Sequence, residues 1–263
     1  MNKLKQFIYY HSYGFTLLPF YLAINITNKC NRNCSFCPFH SPFLKESEHN
    51  TWFKKQPGNL NYEDFKNFLA KMGIFRKLIK SVAITGKGEP FLNSDIWYIL
   101  NLLETYKIKS SVTTNADCLK EYDFGLLSLF RYLKTIRISI YNTDRLEYFF
   151  NLREYWPVIE LYNQTGQEIE GLISGRTVQN EGTEKFCSMP KDFNKINSCK
   201  KPFTFLTINT DGSIVPCYSY NEIGNIKDSF LKIWNGKKVR EFRRQALKMQ
   251  TQKSDCKNCT ANL

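Results

Sequence analysis

Three cysteines stand in one short segment, Cys30-Asn31-Arg32-Asn33-Cys34-Ser35-Phe36-Cys37. Nine cysteines scattered at random over 263 residues would produce this C-x3-C-x2-C spacing roughly 0.01 times. Three thiolates on one loop suit three irons of a cubic [4Fe–4S] cluster, and the fourth iron is left without a protein ligand. An open iron can bind a small molecule, whereas a cluster held by four cysteines mainly passes electrons. A zinc site whose fourth ligand comes from elsewhere, such as His40, is the alternative these residues leave open.

A second constellation is Thr85-Gly86-Lys87-Gly88-Glu89-Pro90. Two glycines let a ligand approach the backbone, and Glu89 supplies a carboxylate for an ammonium group. Thr113-Thr114-Asn115-Ala116 and Ser139-Ile140-Tyr141-Asn142 add polar side chains after two later apolar runs. Near the C-terminus stand Cys199, Cys217 and the pair Cys256-Lys257-Asn258-Cys259, whose two-residue spacing marks a ligand element.

These groups need a frame. Short runs rich in β-branched residues alternate with helical patterns. Residues 20–26, 81–85, 110–114, 135–140 and 158–162 read as strands, and 62–78, 96–105, 119–133 and 146–155 as helices. Asn61 opens the first helix with Asp64 in its first turn, and Gly125 weakens the third. This alternation predicts an α/β fold of βα units around a parallel sheet of about five strands. Parallel sheets bind ligands at the C-terminal ends of their strands, where both the Gly86 turn and the two polar segments fall. Residues 164–198 are polar and weakly periodic and read as a linker or loop. Then 205–209 and 213–215 flank Thr210-Asp211-Gly212 as a hairpin, and 230–249 reads as a helix interrupted at Asn235-Gly236.

Composition narrows the class. Hydrophobic residues are 42% and charged residues 23%, so a disordered or fibrous chain is excluded. Apolar residues at the N-terminus are interrupted by His11-Ser12-Tyr13-Gly14, and no small-residue cleavage site follows. There is no apolar run of the roughly 18 residues that a membrane-spanning helix needs. The expectation is a cytoplasmic chain whose cysteines stay reduced and whose grouped cysteines hold metal. Residues 1–13 read as a helix packed on the domain, with a membrane-surface helix as the alternative. Lys and Arg number 37 against 24 Asp and Glu, a formal charge of +13. Seven thiolates and two cluster cores of 2+ would leave roughly +10. Such a surface suits an anionic substrate or an acidic electron donor, and also RNA.

Together these features resemble the radical SAM superfamily. Cys30, Cys34 and Cys37 match its cysteine loop, including an aromatic residue, Phe36, before the last cysteine. Gly86, Gly88, Glu89 and Pro90 match its G-x-G-E-P motif, which holds the amino group of S-adenosylmethionine (SAM). Thr114 and Asn115 resemble its third-strand T-N motif. Ser139, with Tyr141 on the same rim, stands where the family uses a polar residue near the SAM ribose or carboxylate. Relatives often carry Glu five residues before the first cysteine, where this chain has Asn25. The resemblance implies SAM chelated to the open iron and cleaved on reduction to a 5′-deoxyadenosyl radical that abstracts hydrogen from substrate. The segment holding Cys199, Cys217, Cys256 and Cys259 resembles the Twitch domain, a shortened SPASM domain. It carries the G-x4-C, G-N-I, I-W and C-x2-C elements. That implies a second, auxiliary [4Fe–4S] cluster with four protein ligands, with zinc on the same cysteines as the alternative.

The expected organisation is an N-terminal extension over 1–19, a truncated partial (β/α) barrel over 20–178, and a Twitch domain with hairpin and helix over 179–263. A truncated core with a Twitch domain resembles the 2-deoxy-scyllo-inosamine dehydrogenase family. There Arg176, in Ser174-Gly175-Arg176-Thr177, falls where the family has a substrate-contacting arginine. Cys118 and Cys187 are left over. They read as inert thiols or, as in radical SAM epimerases, a hydrogen-atom donor, Cys118 being nearer the rim.

The first functional reading is oxidation of a carbinol of a sugar or aminocyclitol, with the auxiliary cluster as electron acceptor and a flavodoxin- or ferredoxin-like donor. The second is an epimerase or peptide-modifying enzyme. The third, from another class, is a non-catalytic iron–sulfur or RNA-binding module, against which the complete SAM motifs argue.

Overall fold

The computed structural model describes residues 15–17, 20–37, 39–44, 58–85, 87–165, 167–174, 201–216 and 222–247. The first strand, β1 (Phe20–Ile24), is apolar at nearly every position, and all but Tyr21 are buried. A strand without polar–apolar alternation belongs inside a sheet covered on both faces. β1 accordingly has parallel neighbours on both sides.

On one side follow β2 (Ile79–Ile84), β3 (Ser110–Thr114), β4 (Leu133–Ile140), β5 (Ile159–Asn163) and the two-residue β6 (Ile173–Ser174), each parallel to the last. All five expected strands are present. β6 lies where sequence pattern indicated only loop, because two residues are too few to show a period of two.

Helices connect the strands. α1 (Tyr62–Lys71) starts where Asn61 Oδ1 accepts from the Asp64 amide at 2.9 Å, and it buries Phe65, Phe68 and Leu69. A six-residue 3-10 segment (Gly73–Leu78) leads from it into β2. α2 (Ile96–Thr105) buries Ile96, Ile99, Leu100 and Leu103, an i, i+3, i+4, i+7 stripe. Removing one of these four side chains, as in Leu103→Ala, costs about 2–5 kcal/mol. α3 (Glu121–Ser128) is shorter than its pattern, and α4 (Leu146–Tyr155) matches its pattern.

On the other side of β1 the chain returns through α5 (Lys201–Thr204) into β7 (Phe205–Ile208), which pairs in parallel with β1. β8 (Ser213–Val215) turns back antiparallel through Thr210-Asp211-Gly212, with Gly212 at φ +78°, which glycine adopts without strain. β9 (Gly224–Asn225) completes the sheet, and α6 (Phe230–Asn235) and α7 (Lys237–Leu247) break at Gly236 as expected. The described strands thus form one nine-stranded sheet, ordered β6-β5-β4-β3-β2-β1-β7-β8-β9. The hairpin expected in a separate unit extends the core sheet, since an uncovered β1 edge would expose a row of backbone hydrogen-bonding groups.

Candidate active site

The chain leaving β1 enters the cysteine loop, and the loops after β2, β3 and β4 meet it at the same end of the sheet. Cys30, Cys34 and Cys37 are half-buried. The loop turns where the Cys37 amide donates to Cys34 O at 2.9 Å. The amides of Phe39 and His40 donate to Cys37 Sγ at 3.5 and 3.3 Å, an arrangement that favours an anionic sulfur. Burial, first of all, pushes the Cys30 thiol up, and the neighbouring Glu89, Cys37 and Cys34 add to this. A thiol held in its neutral form beside two others is one that a metal cluster's positive charge would ionise.

Glu89 ends the turn after β2 and is 3% exposed. Its carboxylate accepts from Thr114 Oγ1 at 2.6 Å, from the Asn115 amide at 2.8 Å and from the Phe91 amide at 3.2 Å. Burial raises its pKa, and these three hydrogen bonds oppose the rise. The Glu89 amide donates to Lys29 O at 2.8 Å, so the turn is sewn to the approach of the cysteine loop. Gly88 sits so close that a Cβ there would meet Lys29 O first, then Thr27 O at 2.8 Å and Lys29 N at 2.9 Å. Pro90 is buried and begins the 3-10 turn Pro90–Leu92. Gly86 lies outside the described residues.

The rim after β3 grips the loop as well. Asn115 Nδ2 donates to Asn31 Oδ1 at 2.8 Å. Arg32 binds Asp117 through two bonds, at 2.5 and 2.6 Å. Between them Ala116 has φ +57° and is 1% exposed. A non-glycine residue held there costs about 1–3 kcal/mol and clusters at functional sites. Cys118 follows, exposed, its thiol pushed up first by partial desolvation and then by Glu89 and Asp117.

From β4 comes Tyr141. The Arg32 guanidinium lies over its ring at 4.4 Å, and the Phe36 ring is nearly parallel to it at 6.5 Å between centroids. Its hydroxyl faces Cys34 and Ser139. Burial first, then Cys34, hold the phenol well above its ordinary range, while Arg32 and Ser139 pull it down. Cys30, Cys34, Cys37, Phe36, Gly88, Glu89, Pro90, Thr114, Asn115, Ser139 and Tyr141 are therefore brought to one rim. Arg176, Cys187, Cys199, Cys217, Cys256 and Cys259 lie outside the described residues.

Sequence reasoning singled out neither Arg32, Asp117, Lys87 nor Asn209. Lys87 was legible only as the variable residue of its motif. It is 6% exposed, its Nζ donates to Asn209 Oδ1 at 3.0 Å, and burial lowers its pKa to about 8. His40, the alternative zinc ligand, has its Nε2 2.7 Å from the Lys87 carbonyl. Among the described residues no three His, Cys, Asp or Glu side chains converge closely enough for one metal ion. Three thiols on one short loop are the donor set a cubic cluster takes, each sulfur at a separate iron.

Residues 24–166, more than half of the chain, match the family described as Radical SAM superfamily. The chain belongs to the radical SAM superfamily. Residues 199–260 match SPASM, an iron-sulfur cluster-binding domain. The radical SAM cofactors follow: a [4Fe–4S] cluster with SAM, and an auxiliary iron–sulfur cluster.

Curated relatives include the GTP 3′,8-cyclases of Aliarcobacter butzleri, 34% identical over 110 residues (41% of this chain, 31% of that protein), and of Nautilia profundicola, 32% identical over 104 residues (39% and 29%). The chain spans about a third of the length of these relatives. Among solved structures, BtrN in complex with AdoMet and 2-DOIA superposes with TM-score 0.68 at 17% identity, covering 93% of this chain and 94% of that one. SuiB from Streptococcus suis, bound to precursor peptide SuiA, superposes with TM-score 0.59 at 17% identity, covering 98% and 73%. At such identities the likeness is one of fold. No described helix is long and apolar enough to cross a membrane.

Proposed function

We propose that this chain is a radical SAM oxidoreductase that oxidises a carbinol of a sugar or aminocyclitol. When bound, the cluster and SAM supply a hydrogen-abstracting 5′-deoxyadenosyl radical, and the auxiliary cluster supplies an electron acceptor. Cys30, Cys34 and Cys37 hold the first cluster, and Cys199, Cys217, Cys256 and Cys259 the auxiliary one. Glu89 takes the SAM ammonium, with Gly86, Gly88 and Pro90 shaping its turn and Thr114 and Asn115 orienting its carboxylate. Phe36, Ser139 and Tyr141 border the nucleoside. Arg176 positions the substrate hydroxyl. The core occupies 20–178 and the auxiliary domain 179–263, with 1–19 as an extension.

The observation that carries the SAM assignment is Glu89: a carboxylate 3% exposed, fixed by three donors beside the cysteine loop. A buried carboxylate so held is a ready partner for an ammonium. The choice of a small alcohol rests on the fold likeness to BtrN over 93% of this chain and 94% of that one. A net charge of +13 suits an acidic donor such as flavodoxin or ferredoxin in the cytoplasm and, among sugars, an anionic one.

The test is anaerobic turnover with carbinol-deuterated aminocyclitols and sugars. Deuterium in 5′-deoxyadenosine, together with a ketone product, supports the reading. Transfer only from labelled peptides would replace it with peptide modification, the second reading, which the fold likeness to SuiB favours. Epimerisation would show as inverted product whose formation needs Cys118.

A further inference from the structure

The turn that carries Glu89 is held on two sides. Glu89 itself faces the β3 rim. Lys87, two residues earlier, points the opposite way, into the seam between β1 and β7. Its ammonium donates to Asn209 Oδ1 at 3.0 Å, and the same oxygen accepts from Asn25 Nδ2 at 3.0 Å. Asn209 Nδ2 donates to Ser213 Oγ at 3.0 Å, and Ser213 Oγ donates to Asp211 Oδ1 at 2.6 Å. Asn25, Asn209 and Ser213 are all less than 5% exposed. On its carbonyl side Lys87 meets His40 Nε2 at 2.7 Å, and the His40 amide reaches Cys37 Sγ at 3.3 Å. One residue therefore joins the last cysteine of the cluster loop, the SAM-motif turn and the hairpin that runs on toward Cys217.

Burial outweighs the attraction of Asp211 for the Lys87 ammonium, and at such a position an apolar residue of similar shape commonly serves stability as well or better. A fixed geometry is what the arrangement does provide.

We propose that Lys87 is a positioning residue, locking the 87–90 turn between the cysteine loop and the β7–β8 hairpin so that the Glu89 carboxylate is pre-set for the SAM ammonium. The proposal rests on the SAM-binding reading above. It also accounts for Asn25 in place of the family's Glu, since Asn25 shares the Asn209 oxygen and completes the lock.

The experiment compares wild type, Lys87→Met, Asn209→Ala and the double variant, each reconstituted anaerobically with iron and sulfide counted. SAM is titrated by equilibrium binding and by its effect on the reduced cluster's EPR spectrum. Lys87→Met should carry full iron, melt at or above the wild-type temperature and bind SAM at least tenfold more weakly. Asn209→Ala removes the same bond from the hairpin side, so either variant alone suffices if the other folds poorly, and the double should be no weaker than the worse single. Wild-type SAM affinity in Lys87→Met, or a loss of affinity that only tracks a fall in melting temperature, overturns the proposal. A wild-type protein that carries its clusters but binds no SAM overturns the SAM reading itself, and the lock with it.

Discussion

Gly88→Ala is the sharpest single perturbation of the site. The added methyl has no room: its nearest neighbour is Lys29 O, followed by Thr27 O at 2.8 Å and Lys29 N at 2.9 Å, all backbone atoms. Those atoms cannot swing aside like the end of a side chain. The Thr27 hydroxyl lies 2.9 Å from Gly58 O and 2.8 Å from Asn59 Oδ1, and Lys29 O already accepts the Glu89 amide at 2.8 Å. Overpacking of this kind costs about 1–3 kcal/mol. For a chain of this size that lowers the melting temperature by about 2–12 °C. The turn moves with the clash, so Glu89 leaves its three donors and SAM affinity falls at least tenfold. Gly125→Ala is the internal control. Gly125 sits within α3 with nothing inside 4 Å of a built Cβ. The same substitution there should stabilise by about 0.5–1 kcal/mol and leave SAM binding unchanged. Calorimetry and a SAM titration read both. Wild-type melting and SAM affinity in Gly88→Ala would refute the packing argument.

Three further outcomes follow from the same geometry. Glu89→Gln puts an amide N–H against an N–H or O–H donor, so SAM affinity should fall roughly tenfold to hundredfold, measured by equilibrium binding at unchanged iron content. Lys87 gives a pH signature: burial lowers its pKa to about 8 from an ordinary 10.5, so between those pH values the unfolded chain holds more protons and stability rises with pH. The advantage of Lys87→Met over wild type in urea unfolding should therefore shrink by about 3 kcal/mol between pH 7 and pH 10.5, at 1.36 kcal/mol per pH unit. Cys256→Ser with Cys259→Ser should halve iron and sulfide from about eight to about four of each while SAM cleavage persists; full iron retention would remove these cysteines from the auxiliary site.

Local pattern carried most of the frame and half of the site. Strands such as Ser110–Thr114 and helices such as Ile96–Thr105 announce themselves by period and composition. The cysteine spacing and the G-x-G-E-P turn announce chemistry because their residues are neighbours in sequence. What stayed hidden depends on pairing across the fold. Arg32 and Asp117 are 85 residues apart, and Lys87 and Asn209 are 122 apart. No spacing rule links such residues, and each alone reads as an ordinary surface charge or turn amide. The parallel seam between β1 and β7 was equally hidden, since a strand's partner is chosen by the sheet and not by its own sequence.

That seam has a consequence for how such a protein can be taken apart. β7 covers the flank of the strand that feeds the cysteine loop, and Arg243, fully buried, ties α7 back to Pro202 O at 2.7 Å. Cutting the chain near residue 200 would part β7 from its β1 neighbour. It would strip one side of the central strand and leave a sticky edge. Recombining this auxiliary segment with a foreign core would work only where the graft carries its own β7 and the host offers a β1 of matching register. Exchange between family members is thereby restricted to joints on the far side of that strand.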